Sequence, residues 1–173
     1  MSANRLTAAG RALLAAWEGS RRRAYPDAGA HLTIGVGHRL TADEQRTEIV
    51  RIAGAAVDWT AGLDPAQIEA LLDQDVAWAE TAVTAALGPG LAAHEFDALV
   101  LYAYNIGETA FREHSSVARR LRAGDRAGAL QAWRAWNRIT DPRSGRKVAS
   151  AGLLRRRAAE LRLFTEADYS GRP

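Results

Sequence analysis

The sequence predicts a mainly helical α+β fold, and three observations carry that prediction. Residues 64 to 87 form an amphipathic run with a helix-start signal at Asp64. Residues 93 to 106 are apolar almost all round. Ahead of both, residues 23 to 38 hold one glycine-rich stretch of β-forming residues.

Taken in order, a first helix runs from a Thr7 cap to about Glu18, with Leu13, Leu14 and Trp17 at helical spacing and Gly19 as its stop. Glu18 therefore ends a helix beside an apolar face. In residues 23 to 38, Tyr25 to Asp27 and His31 to Val36 read as two strands joined through Ala28-Gly29-Ala30. Gly35 and Gly37 weaken a strand unless a backbone or ligand must come close. At the long helix Asp64 is the cap, Pro65 takes the first helical position and Gln67 completes a capping box. Leu63 and Ile68 have the spacing of a hydrophobic staple. Leu71, Leu72, Val76, Ala79 and Val83 line one stripe, and Gly88-Pro89-Gly90 ends the helix. This helix can join a small front lobe, about residues 19–63, to a helical lobe of about 91–164 packed with helix 7–18. The helix at 93–106 has to be buried, and Gly107 ends it. Shorter helices follow at about 116–123, 126–136 and 151–164, with Ser116 and Asp125 available as caps. Thr140 to Ser150 reads as a basic loop, and the tail beyond Phe164 as loose.

Composition narrows the function classes. The chain has 173 residues, enough for one domain or a domain with a small lobe. It has no cysteine, which rules out a disulfide framework, a thiolate metal site and a cysteine nucleophile. The net charge of +3 suits an anionic partner such as nucleic acid, an envelope polymer or a lipid surface, and equally suits a plain solvated surface. No stretch approaches the roughly 20 apolar residues of a membrane span. The apolar run from Ala8 to Trp17 is broken by Arg11 and lacks the layout of a secretion signal.

Glu18, Asp27 and Thr33 form the candidate catalytic set. A helix end can face a hairpin, and the hairpin places Asp27 and Thr33 on neighbouring strands. Glycoside hydrolysis wants one protonated carboxyl for the leaving oxygen and a second, ionised one across the ring. Burial beside Trp17 favours the protonated form of Glu18, because desolvation disfavours charge. Asp27, in a polar hairpin, stays ionised, and the two environments assign acid and base. The Thr33 hydroxyl can hold a water. A Glu at a helix end and an Asp in a turn are also ordinary structural residues, so spacing alone leaves both readings open.

These three residues match the Glu-x8-Asp-x5-Thr pattern of the phage-type lysozymes, or endolysins, glycoside hydrolase family 24. The flanking words match as well: Trp17-Glu18-Gly19, Tyr25-Pro26-Asp27 and Thr33-Ile34-Gly35-Val36-Gly37-His38. Weaker words follow in order at Gln74-Asp75-Val76, Tyr104-Asn105-Ile106-Gly107, and Gly152-Leu153-Leu154-Arg155-Arg156-Arg157 with Glu160. The chain resembles that family over about residues 6 to 164. The resemblance implies a two-lobed lysozyme-like fold and an inverting muramidase acting on the β-1,4 bond between N-acetylmuramic acid and N-acetylglucosamine. It implies Glu18 as general acid, with Asp27 and Thr33 positioning water. It implies no cofactor and no metal.

The resemblance further suggests an ion pair of His38 with Asp75; no His or Cys lies at metal-ligand spacing from His38. Tyr104 and Asn105 fall where the family lines its sugar cleft, although Tyr104 suits core packing equally. Gly35, Ser115 and Asn137 are further candidate substrate contacts. The run Arg155–Arg157 reads as a solvated face, or as the source of one arginine near Glu18. Trp133 and Trp136 read as core.

Three rivals stand beside the muramidase reading. They are a catalytically silent peptidoglycan-binding module, a lytic transglycosylase in which Asp27 and Thr33 would be idle, and a nucleic-acid-binding helical domain that leaves the hairpin triad unexplained. The expected partner is bacterial peptidoglycan, with no nucleic acid and no stable membrane insertion. The expected state is a monomer made in a host cytoplasm, without a signal peptide, and released to the wall through a holin.

Overall fold

Thr7 opens the first helix: its hydroxyl accepts the Gly10 amide at 3.0 Å, and α1 (Ala8–Glu18) follows. The computed structural model describes residues 4–27, 29–141 and 144–172. Within them the fold is mainly helical, with small antiparallel sheets. The chain divides into two compact units, Ala15–Ala77 and the flanking segments up to Leu14 and from Trp78 onward.

The first unit begins with three antiparallel strands, β1 (Arg21–Pro26), β2 (Leu32–Gly35) and β3 (His38–Arg39). The sequence reading found two of the three. It started β1 too late and ran β2 past Gly35. The step into β3 requires φ +63 at Gly35 and φ +77 at Gly37, which glycine adopts without strain. Crowding is not the reason for Gly35, since an added Cβ would rest an ordinary 3.5 Å from Leu71. Of the expected Ala28-Gly29-Ala30 connection, Ala28 lies outside the described residues.

Next come α2 (Ala42–Thr47), capped by a reciprocal Thr41–Glu44 box, and a hairpin of β4 (Ile49–Ile52) and β5 (Ala55–Asp58). Ala53 and Gly54 turn the hairpin at φ +49 and +85, the two positive values of a tight hairpin turn. α3 (Pro65–Leu87) starts at the expected box: the Gln67 amide donates to Asp64 at 2.8 Å, and the Asp64 amide donates to the Gln67 side chain at 2.9 Å. Ile34, Val36, Val50, Leu63, Leu71 and Val76 are buried in this unit.

The second unit is built around α4 (Ala93–Ile106), buried from Phe96 to Ala103 and ended by Gly107 at φ +88. A π-helical turn, Ala110–His114, leads to α5 (Ser116–Arg122) and α6 (Arg126–Ala135). The cap of α5 is Ser115 rather than Ser116, because the Ser115 hydroxyl accepts the Ala118 amide. Asp125 caps α6 as expected. Thr140 to Ser150, expected to be a basic loop, starts at the last residue of β6 (Arg138–Thr140) and contains β7 (Lys147–Ala149), which pairs with β6 antiparallel; its residues 142 and 143 lie outside the described residues. α7 (Ala151–Glu166) closes the fold. The tail after it is not loose: Tyr169 donates to Asp97 at 2.8 Å and Gly171 is buried.

Two of the three arginines expected on a solvated face are buried. Arg155 is exposed, while Arg156 and Arg157 turn inward onto Glu160, which has no exposure. Glu160 pairs with the Arg157 guanidinium at 3.1 Å and accepts from Arg156 at 3.3 Å and the Trp133 indole at 2.7 Å. Burial pushes its carboxyl upward, and the two guanidiniums oppose that shift. Trp133 is core, as expected, with Tyr102 and Phe164 rings 4.8 and 5.3 Å from its own. Glu160→Ala is expected to cost about 3–5 kcal/mol by stranding buried cations. Asp64→Ala loses only a cap, about 1 kcal/mol. Urea denaturation of the two variants ranks them, and equal losses would contradict the buried-ion account.

Candidate active site

Glu18 is the last residue of α1. It is half-buried, and its Oε1 is shut off from solvent. Gly19 follows at φ +79, so the chain can leave the helix and enter β1 at once. Trp17 beside it is also half-buried.

Asp27 sits just past the end of β1, in a turn closed by two backbone bonds, Asp27 N–H to the His31 carbonyl and Ala30 N–H to the Asp27 carbonyl. Its Oδ1 accepts the amides of Gly29 at 2.8 Å and His31 at 2.9 Å, with the His31 ring nitrogen at 3.3 Å. Its Oδ2 meets Arg39 Nε at 3.0 Å. These contacts hold the carboxyl below the usual aspartate value. The His31 amide contributes most, burial opposes it, and the Gly29 amide, the Arg39 charge and the His31 ring add to it.

Thr33 is buried on β2, opposite Tyr25 of β1 and Arg39 of β3. Its hydroxyl donates to the His31 carbonyl at 3.1 Å. His31 thus links the two: its amide binds Asp27 and its carbonyl fixes the Thr33 proton. The sequence reading gave neither His31 nor Arg39 a place in the site. Arg39 is placed by the β2–β3 register, which nothing in the local sequence announces.

Gly35 ends β2, and His38 begins β3. His38 Nδ1 lies 3.0 Å from both oxygens of Asp75 on α3, and its Nε2 lies 3.4 Å from Glu44 on α2. Burial works to lower its pKa. Asp75, by hydrogen bond and charge, and then Glu44 outweigh that and hold it above the usual imidazole value. Glu44 was missed although its capping-box spacing from Thr41 is plain. Gln74 donates to the Arg51 carbonyl of β4 at 3.1 Å.

The other candidates belong to the helical unit. Tyr104 is half-buried near the end of α4, so it is not a fully packed core residue. Asn105 accepts from Arg157 through its amide oxygen. Ser115 is buried and caps α5. Asn137 donates to the Arg134 carbonyl at 2.7 Å. Among the described residues no cluster of three or more His, Asp or Glu side chains is placed to hold a metal.

A family model described as phage lysozyme matches residues 15–160. The endolysin of Acyrthosiphon pisum secondary endosymbiont phage 1 is 28% identical over 158 residues, covering 91% of this chain and 96% of that one. The structure of the endolysin from Escherichia coli O157:H7 phage FAHEc1 is similar at a TM-score of 0.73 and 33% identity, covering 95% of this chain and 96% of that one. The muramidase domain of SpmX from Asticaccaulis excentricus is similar at a TM-score of 0.74 and 30% identity, covering 94% and 98%.

The raised His38 value has a consequence for stability. Its contribution is full below the unfolded imidazole value, about 6.5, and is lost as pH rises through the higher folded value. His38→Asn should therefore fall furthest behind wild type near pH 6 and less at pH 9. Chemical denaturation at both pH values checks this, and a constant gap would contradict it.

Proposed function

Because the chain belongs to the phage lysozyme family, we propose that it is a muramidase hydrolysing the β-1,4 bond between N-acetylmuramic acid and N-acetylglucosamine in bacterial peptidoglycan. The observation that carries this reading is the setting of Asp27. Two backbone amides and a guanidinium keep it ionised, beside a threonine whose hydroxyl proton is already committed. Such a pair suits one task. The Thr33 oxygen can only accept from a water, and Asp27 can only accept. A water between them donates one proton to each and turns its lone pair outward.

In this mechanism Glu18 gives its proton to the leaving glycosidic oxygen as the C1–O bond breaks. The water attacks C1 from the other face, and Asp27 takes the water's proton. The anomeric configuration inverts. That outcome requires the carboxyls to stand about 6.5–9.5 Å apart around the water, against about 5–5.5 Å in a retaining site. Gly35, Tyr104, Asn105 and Asn137 are the proposed sugar contacts. Ser115 is the poorest of those candidates, since its hydroxyl is buried and occupied. The relatives' names, endolysin and muramidase domain, support the substrate class. Action on the wall as a monomer after holin-dependent release belongs to the same proposal. No helix among the described residues is long and apolar enough to cross a membrane.

Glu18→Gln keeps the shape and removes the proton donor. Clearing of purified peptidoglycan should fall by roughly 10²–10⁴-fold or more. Clearing at the wild-type rate would remove Glu18 from the mechanism. Products with hydrated reducing ends are expected by mass spectrometry; anhydro ends would replace this reading with the transglycosylase. The lowered Asp27 value also sets a direction. Ionised Asp27 is needed, so activity should persist below the usual aspartate range. Arg39→Gln, which removes one stabilising charge, should move the acid limb of the kcat/KM profile to higher pH. An unmoved limb would separate Asp27 from that limb.

A further inference from the structure

The large hydrophobic side chains that stand exposed among the described residues all fall in one stretch of the second unit: Ile139 at 47%, Val148 at 39% and Leu154 at 47%. Ile139 and Val148 are direct cross-strand partners on β6 and β7, so they stand side by side on one face of that hairpin. Leu154 follows in the first turns of α7. The pieces are tied together, since the Ser150 amide donates to the Asn137 carbonyl at 2.8 Å and the Ser150 hydroxyl caps α7.

Charge is concentrated in the same place. Residues 138–155 carry Arg138, Arg143, Arg146, Lys147 and Arg155 against Asp141, a net +4. Arg138, Arg146, Lys147 and Arg155 are exposed. The next residues along each strand, Arg138 and Lys147, lie on the other side of the pleat and line a hollow of about 280 Å³ with Trp136 and Ser116. The face that carries Ile139 and Val148 is thus aliphatic, with the exposed Arg146 and Arg155 near it in the chain.

We propose that the β6–β7 hairpin and the first turns of α7 form a contact surface for an anionic phospholipid bilayer. Exposed aliphatics with cations beside and behind them match the boundary between acyl chains and phosphates, where long basic side chains snorkel to the headgroups. A second copy of the chain is disfavoured, because two surfaces of net +4 repel. A carbohydrate or nucleic-acid polyanion would answer the arginines and leave three aliphatics without a partner. The surface lies apart from Glu18, Asp27 and Thr33 in the sequence and needs none of them.

The test is flotation of the full chain at physiological salt with vesicles of phosphatidylcholine plus phosphatidylglycerol, and with vesicles of phosphatidylcholine alone. Wild type is expected to float with the anionic vesicles only. The double variant Ile139→Ser/Val148→Ser should lose roughly tenfold or more of that binding. It should keep wild-type circular dichroism and peptidoglycan clearing, and Glu18→Gln should float like wild type. Equal flotation with both vesicle types, no flotation, or a hairpin variant that binds like wild type would each overturn the proposal. So would a variant that keeps vesicle binding and loses retention on purified peptidoglycan, which would assign the surface to the wall polymer.

Discussion

A carboxylate without solvent has to be met by charge and by hydrogen-bond donors, and Glu160 is the place where the helical unit meets that demand. Its partners come from α6 through the Trp133 indole and from α7 through Arg156 and Arg157. Arg157 passes the constraint on: it donates to Asn105 at the end of α4, and its guanidinium lies 5.0 Å from the centre of the Tyr102 ring. Three helices are therefore held at fixed relative positions by one ion. Apolar packing alone tolerates sliding and repacking. A buried ion pair does not, since losing one partner leaves the other charge uncompensated, at a cost of about 3–5 kcal/mol.

The β-containing unit solves a related problem with weaker parts. It is small, and no single helix dominates it. His38 takes the role there, lying between Asp75 of α3 and Glu44 of α2 while standing on β3. Asp27 is different in kind. Its contacts come from a local turn, through the Gly29 and His31 amides, and from Arg39 of β3. The proposed water-activating group is thus held toward its ionised form mainly by backbone amides, with the Arg39 charge adding to them.

What the sequence made legible follows from how local each signal is. The Asp64–Gln67 box, the apolar run of α4 and the glycine stops are settled within a few residues, and the structure has them where the residues say. The triad was readable only because its flanking words are specific; their contacts are not. Arg39 reaches Asp27 through strand register, and the Thr33 proton goes to a backbone carbonyl, neither of which residue identity encodes. The β4–β5 hairpin escaped notice because its turn is Ala53-Gly54 rather than an Asn-Gly or Asp-Gly pair. β6 and β7 escaped because both strands are exposed and so lack the apolar alternation that marks a half-buried strand. The inward turn of Arg156 and Arg157 was hidden for a related reason: a charge run looks solvated until a buried acid is found to receive it.

Asp97 shows one more such acid, and its contacts close the chain on itself. It has no exposure, and it accepts from the Thr7 amide at 3.0 Å, from the Thr7 hydroxyl and from Tyr169 at 2.8 Å. Residues 162 positions apart in the chain therefore share one carboxylate. In topological terms the segment from Thr7 to Tyr169 is a loop sealed by hydrogen bonds instead of a covalent bond. A loop of that kind can be opened at an exposed turn such as Ala53-Gly54 while the contacts that seal it stay in place.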